Sequence, residues 1–191
     1  MRISGGQLKG RRIASRRLFS KRSEGDELRP TSSKVREAIF DILQNDIKDA
    51  DFLDLYAGTG TVGLEALSRG AGRVFLIENN YIRSDEIMKY VKEIKASDRV
   101  KVYREKVEYF LKRASVAGMR FDIIFADPPY ASDEIMKVLH FIDENDTLKE
   151  DGCLIVEHSF RSNLPEHTKY LKFIKNYKYG DTMLTLYRKR I

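Results

Sequence analysis

Four consecutive residues, Asp127-Pro128-Pro129-Tyr130, stand directly after the run Phe121-Asp122-Ile123-Ile124-Phe125-Ala126. A short, mostly apolar run of this kind reads as a buried strand, and ligands of open α/β sheets bind where such strands end. The residue types suit one demanding chemistry. An amino group on a nucleobase is a poor nucleophile because its lone pair is delocalised into the ring. The Asp127 carboxylate and the Pro128 carbonyl can both accept its N–H groups, which favours a tetrahedral nitrogen and frees the lone pair. Two prolines fix φ and hold those oxygens in place. Tyr130 offers a flat face to a base swung out of its stack. Asp127 is also suited to take the proton released on transfer. Asp127, Pro128, Pro129 and Tyr130 are therefore the candidate catalytic residues.

A second segment, Phe52-Leu53-Asp54-Leu55-Tyr56-Ala57-Gly58-Thr59-Gly60-Thr61-Val62-Gly63, reads as a strand, a tight glycine turn and the start of a helix. Gly58 to Gly63 fits the G-x-G-x-x-G spacing of dinucleotide sites, which alone suits nicotinamide and S-adenosylmethionine cofactors about equally. Asp54 separates them. A carboxylate at the strand end would repel a pyrophosphate held at the helix N-terminus. S-adenosylmethionine has no phosphate and carries a sulfonium and an ammonium, so an acidic neighbour suits it. Glu78 closes the next apolar run, 18 residues past Gly60, where a doubly wound fold places a carboxylate for the ribose hydroxyls. Asn79 follows it. After the third run, around Glu105 and Lys106, an adenine amino group would meet a side chain or a backbone carbonyl. The candidate cofactor residues are Asp54, Tyr56, Ala57, Gly58, Gly60, Thr61, Glu78, Asn79, Glu105 and Lys106.

The elements that must position these residues follow from the hydrophobic pattern. Short apolar runs at 52–56, 73–77, 100–103, 121–126 and 152–157 alternate with helical stretches near 61–69, 82–96, 106–115 and 132–144. That alternation predicts a parallel sheet with helices on both faces, a Rossmann-like α/β fold. Residues 169–177 and 182–188 are strand-like runs joined by Lys178-Tyr179-Gly180-Asp181, which predicts an antiparallel hairpin at one edge. At the other end of the chain, Arg2 to Ala14 reads as a short hairpin about Gly5-Gly6, and 15–28 as a mobile polar loop. Thr31 or Ser32 then caps an amphipathic helix over 33–45, with Val35, Ile39, Ile42 and Leu43 on its apolar face. The expected division is a basic extension over 1–45 and a catalytic domain over 46–191.

Charge is unevenly distributed. Residues 1–36 hold 11 Lys and Arg against 3 Asp and Glu, a net of +8, whereas the whole chain is +6 and the remainder −2. A basic arm on a nearly neutral body suits a polyanion such as nucleic acid, with Arg2, Lys9, Arg11 and Arg12 as candidate contacts. The single cysteine, Cys153, lies in a strand-like run and reads as a buried thiol rather than a nucleophile. His140, His158 and His167 lack metal-ligand spacing, so no metal is expected. With no membrane-length apolar run and no signal-peptide pattern, a cytoplasmic protein without membrane partners is expected.

The chain resembles the RsmD-type bacterial methyltransferases nearly end to end. The resemblance is carried by Met1-Arg2-Ile3-Ser4-Gly5-Gly6-Gln7-Leu8-Lys9-Gly10-Arg11, by Arg29-Pro30-Thr31-Ser32 with Val35-Arg36-Glu37-Ala38-Ile39-Phe40, by Asp54-Leu55-Tyr56-Ala57-Gly58-Thr59-Gly60, by Asp127-Pro128-Pro129-Tyr130, by Val156-Glu157-His158 and by Tyr179-Gly180-Asp181-Thr182. The glycine loop and the tetrapeptide are shared by many amino-methylating enzymes; the Arg-Pro-Thr segment and the basic opening point to this family. The resemblance implies a seven-stranded class I methyltransferase sheet with a small N-terminal extension. It implies methylation of the N2 amino group of one guanine in small-subunit (16S) ribosomal RNA, free or in an assembling particle, with S-adenosylmethionine as cofactor. It implies that Asp54, Gly58, Gly60 and Glu78 hold the cofactor, that Asp127 to Tyr130 hold the guanine, and that Arg29, Thr31 and Arg36 face the RNA or the cofactor mouth. One position departs from the pattern. Lys106 stands where such enzymes often have Asp or Asn, and a lysine accepts no hydrogen bond, so adenine recognition is left to backbone groups or to Glu105. Three rival readings share some of these features. Adenine-N6 methylation of DNA uses the same tetrapeptide but usually needs a larger recognition region. A non-catalytic RNA-binding protein would not need both motifs intact, and a nicotinamide oxidoreductase has no use for Asp127-Pro128-Pro129-Tyr130.

Overall fold

A computed structural model of the chain describes residues 2–13, 31–129, 134–166 and 168–190. The predicted loop at 15–28, together with Arg29, Tyr130 and His167, lies outside these residues. The elements are α1 (Ser33–Ile42), β1 (Asp51–Asp54), α2 (Thr61–Ser68), β2 (Arg73–Ile77), α3 (Tyr81–Glu93), β3 (Val100–Tyr103), α4 (Val107–Val116), β4 (Phe121–Ala126), α5 (Glu134–Glu144), β5 (Leu148–Ser159), β6 (Leu171–Tyr179) and β7 (Thr182–Lys189). They form one seven-stranded sheet of order β3-β2-β1-β4-β5-β7-β6, parallel from β3 to β5 and antiparallel through the closing hairpin. The Rossmann-like α/β reading of the sequence is the observed fold. Among the described residues no helix is long and apolar enough to cross a membrane.

The central strands are buried on both sides, which is why β1 and β4 read as apolar runs rather than alternations. Two apolar layers sandwich the sheet. One joins α1, α2 and α3 to inward residues such as Phe52, Leu76 and Ile155. The other joins α4 and α5 to Leu53, Phe121, Ile124 and Tyr187. At the N-terminal strand ends, Lys149 bridges Asp51 at 2.9 Å and Asp122 at 2.8 Å, leaving the opposite, C-terminal end for ligands.

Two boundaries differ from the pattern-based reading. β5 begins at Leu148 rather than at 152, because its register on β4 jumps between the Phe121 and Ile123 pairs and Asp151 turns left-handed (φ 60°), so hydrophilic residues interrupt the apolar run. α1 stops at Ile42 rather than 45; its start matches, with the Ser32 hydroxyl accepting from the Val35 N–H at 3.2 Å.

The N-terminal turns fold back on α2. Arg2 and Arg12 form an antiparallel bridge. Glu65, fully buried in α2, accepts from the Ser4 N–H, the Ser4 hydroxyl and the Gly5 N–H, each at 2.8 Å, and from Arg69 Nε at 2.9 Å. Burial alone would raise the Glu65 carboxyl, but the Ser4 and Arg69 hydrogen bonds bring it below its ordinary value. Gly6 (φ 73°) lies so close to α2 that a Cβ would fall 1.8 Å from the Ser68 carbonyl oxygen, so only glycine fits there.

Candidate active site

The C-terminal ends of β1, β2, β3 and β4 open into a cleft of about 1280 Å³. Asp54 closes β1 and is almost fully buried. Its Oδ2 accepts from the Gly63 N–H of α2 at 3.3 Å, while its buried Oδ1 has no partner. Burial pushes the carboxyl up to about 7 against the opposing backbone N–H groups of Gly63 and Tyr56, and the Glu78 charge adds to the rise. A buried carboxylate lining a cleft with an unused oxygen is set for a cationic or hydrogen-bonding ligand.

Glu78, at the end of β2, is also buried. It accepts from the Gly58 N–H at 2.8 Å and the Asn80 N–H at 2.7 Å, and Arg83 lies 3.6 Å away. The carboxylate thus ties the glycine turn to the start of α3, where Asn80 caps the helix by accepting from Ile82 and Arg83. Each carboxylate oxygen has a further acceptor site, and Glu78 lines the cleft. Tyr56, Ala57, Gly58, Thr61 and Asn79 line it too. Burial and the Glu134 carboxylate of α5 both hold the Tyr56 phenol protonated. Gly60 lies between the cleft-lining Thr59 and Thr61. It caps α2 in a left-handed conformation (φ 73°), and a Cβ there would sit 3.1 Å from Ile87, so its work is to make the turn and admit α3.

Beyond β3, Glu105 and Lys106 both reach the cleft. Glu105 forms an ion pair with Arg113, whose guanidinium lies 5.0 Å over the Tyr103 ring. Lys106 caps α4 with its backbone alone and its side chain is exposed.

On the β4 side, Asp127, Pro128 and Pro129 line the same cleft, with Pro128 buried and Asp127 partly exposed. Residue 130 lies outside the described residues, so the expected stacking ring is not described. Ala126 pairs with Val156, which brings Glu157 of β5, buried and cleft-lining, beside the Asp127 turn. The sequence reading had passed over Glu157 as a site residue; a carboxylate breaking an apolar strand run was the available signal. The β6–β7 turn was missed as well. Tyr179, Asp181 and Thr182 line the cleft, as do Thr31, Ser32 and Val35 at the start of α1. Only the topology, which folds the C-terminal hairpin back beside β5, brings them there.

The basic candidates divide. Arg2, Lys9, Arg11 and Arg12 are exposed but do not line the cleft. Thr31 lines it. Arg36, expected to face RNA, is instead buried: it donates to the Arg2 carbonyl at 3.1 Å and lies 3.6 Å from Glu65. Its sequence position on α1 turns it inward, and it pins the N-terminal turns to the sheet domain. Cys153 is buried and its thiol is pushed up to about 12 by burial. His158 is buried 2.7 Å from the Thr185 hydroxyl, and burial lowers its pKa. No group among the described residues could hold a metal ion.

Known proteins resemble this chain in sequence and fold. The family model described as "Conserved hypothetical protein 95" matches residues 1–188. Ribosomal RNA small subunit methyltransferase D of Escherichia coli K12 is 32% identical over 165 residues, 86% of this chain and 78% of that one. The chain belongs to the RsmD-type family. YlbH of Bacillus subtilis, named as a candidate rRNA methyltransferase, is 33% identical over 190 residues and the match spans both chains fully. The solved structure of Escherichia coli yhhF, titled as a candidate methyltransferase, superposes with a TM-score of 0.84 at 30% identity and covers 100% of this chain and 98% of that one. The RsmD-type family thus shares with this chain both the sheet and the N-terminal elements that pack on α2.

Proposed function

We propose that the protein transfers a methyl group from S-adenosylmethionine to the exocyclic N2 amino group of a guanine in small-subunit (16S) ribosomal RNA. The observation that carries the reading is that Asp54, Glu78 and the Gly58 turn open into the same cleft as Asp127 and Pro128. The names of RsmD-type relatives and the basic N-terminal arm support ribosomal RNA as the substrate.

The residues present fit the cofactor. Asp54 Oδ1 is buried and unpartnered, which suits a cationic group. The Gly58 turn lines the cleft without a side chain, and Glu78 keeps acceptor capacity for ribose hydroxyls. When bound, S-adenosylmethionine supplies a methyl group activated by its sulfonium. The chain does the rest. Asp127 and the Pro128 carbonyl accept the two N–H groups of the target amine, which draws its lone pair out of the ring. The carboxylate balances the positive charge that develops on nitrogen and takes the proton. The two prolines keep both acceptors oriented. Glu105, or backbone groups near Lys106, meets the adenine edge. The arm residues Arg2, Lys9, Arg11 and Arg12, with Arg29, hold phosphates at a distance from the chemistry.

The test is incubation of the protein with methyl-labelled S-adenosylmethionine and small-subunit particles, or 16S RNA, from cells lacking the activity, followed by nucleoside analysis. Label in N2-methylguanosine is expected. Label in N6-methyladenosine would replace guanine by adenine as the target, and unlabelled RNA would refute the reading.

A further inference from the structure

The β6–β7 edge carries a cationic cluster that the chemistry above does not use. Phe160 follows the end of β5, and its N–H donates to the Asp181 carbonyl at 3.0 Å. Asp181 and its neighbours Tyr179 and Thr182 line the cleft, so Phe160 adjoins a residue of its lining. Two cations rest on its ring. Lys178 Nζ lies 4.2 Å from the ring centroid and Arg161 Cζ 5.6 Å. Both side chains belong to exposed residues, and neither forms an ion pair with a described carboxylate. Strand β6 reads Leu-Lys-Phe-Ile-Lys-Asn-Tyr-Lys-Tyr and has no acidic residue; Lys175, further along, lies 5.0 Å over Tyr177.

Holding two like charges on one ring, neither in an ion pair with a described carboxylate, raises their mutual repulsion. An aromatic ring offsets part of that through cation–π attraction and fixes both heads in place. A pair of fixed, unneutralised cations beside a cleft is an anion site awaiting its anion, and a nucleic-acid backbone supplies phosphates at regular spacing. We infer that Phe160, Arg161 and Lys178 form a phosphate clamp for the RNA strand leaving the target nucleotide, beside the β6–β7 turn. The inference rests on the proposal that RNA is the substrate. It assigns local positioning to the C-terminal hairpin: Phe160 is bonded through its N–H to the cleft-lining Asp181, and Lys178 directly precedes the cleft-lining Tyr179. Edge-strand lysines also protect a sheet from pairing with another chain. Lys172 serves as the comparison, because it lies on the same strand at the end away from the β6–β7 turn.

The experiment uses the full chain and a short fluorescein-labelled single-stranded oligoribonucleotide, followed by anisotropy across a salt series. Arg161→Glu with Lys178→Glu is expected to weaken binding by about 10-fold or more and to make the slope of log affinity on log salt shallower by about 1–2. Lys172→Glu, with half the double variant's change in net charge, is expected to change binding by less than about 3-fold. Calorimetry with S-adenosylmethionine confirms that the variants retain the fold. With 16S RNA as methyl acceptor, the double variant is expected to raise KM and keep kcat at saturating RNA. Unchanged oligonucleotide affinity, or an equal loss in Lys172→Glu, overturns the clamp. Failure of the wild type to methylate 16S RNA would count against the proposed substrate alone, because the oligonucleotide arm reads the clamp independently of methyl transfer.

Discussion

The two halves of the cleft are built differently. On the β1–β2 side the carboxylates are buried and bonded to backbone: Glu78 accepts from Gly58 and Asn80, and Asp54 accepts from Gly63. The Asp54–Gly63 and Glu78–Asn80 contacts each lie within one strand–turn–helix unit, and the Glu78–Gly58 bond joins the two adjacent units. On the β4 side, Asp127 is partly exposed, and further lining comes from distant parts of the chain, α1 and the β6–β7 turn. The first half is completed by folding. On the proposed function, the second is the set of groups that meets the RNA. Pre-organisation of this sort lets the cofactor be held before the substrate is engaged.

The strongest way to break this division is to change the β4 side alone. Asp127→Asn keeps the volume and loses the charge. Single-turnover methylation with RNA and cofactor saturating is expected to slow by roughly 10²–10⁴, the usual range for a positioned acid–base group, with cofactor affinity unmoved. A wild-type rate would leave the Pro128 carbonyl as the only acceptor at work. The converse change, Glu78→Ala, should weaken S-adenosylmethionine binding by about 1–3 kcal/mol, as calorimetry would show. Because Glu78 also ties down Gly58 and Asn80, thermal unfolding should shift down in the same variant. An unchanged dissociation constant would remove Glu78 from the cofactor site.

A smaller effect sharpens how the first half is packed. At Gly63 an added Cβ would sit 2.2 Å from Leu76 Cδ2, and Leu76 is fully buried with no room to yield. Overpacking by Gly63→Ala costs about 1–3 kcal/mol, which outweighs a helix-propensity gain of up to about 1 kcal/mol. Denaturant unfolding should therefore show a net loss; a stabilised variant would contradict the packing.

The smallest effect is a fraction of a proton. Asp54 titrates near 7 in the folded protein, above its unfolded value. Its contribution to stability is therefore fully present below the unfolded pKa, near 4, and is lost as pH rises through about 7. A cation placed beside it lowers that pKa. Cofactor binding near pH 6.5 should thus release up to one proton, read by calorimetry in buffers of different ionisation enthalpy, and Asp54→Asn should abolish the release. Binding with no proton release in the wild type would remove the cation from the neighbourhood of Asp54.

The same division explains what could be read from the sequence. The parallel sheet was legible because each central strand is an apolar run and each crossover helix has its own period. The cofactor half was legible because its parts are local: Asp54, Gly58 and Glu78 are set by two adjacent strand–turn–helix units. Gly60 illustrates the limit, since spacing marks a glycine but does not distinguish contact from turn geometry and the approach of Ile87. Arg36 illustrates another. The family resemblance places it toward the RNA or the cofactor mouth, yet its partner Glu65 lies in a different helix, and only packing reveals that the pair is buried. Tyr179, Asp181 and Thr182 were illegible as site residues because their place beside β4 depends on β7 inserting next to β5.

The central claim is that the cofactor half is complete before RNA arrives. Calorimetric titration of S-adenosylmethionine into the full chain, with and without saturating 16S RNA bearing an already methylated target, tests it most directly. The account predicts binding in the absence of RNA and a change of less than about 5-fold in its presence, below the usual range of coupling between sites. Cofactor binding that appears only when RNA is bound would contradict it.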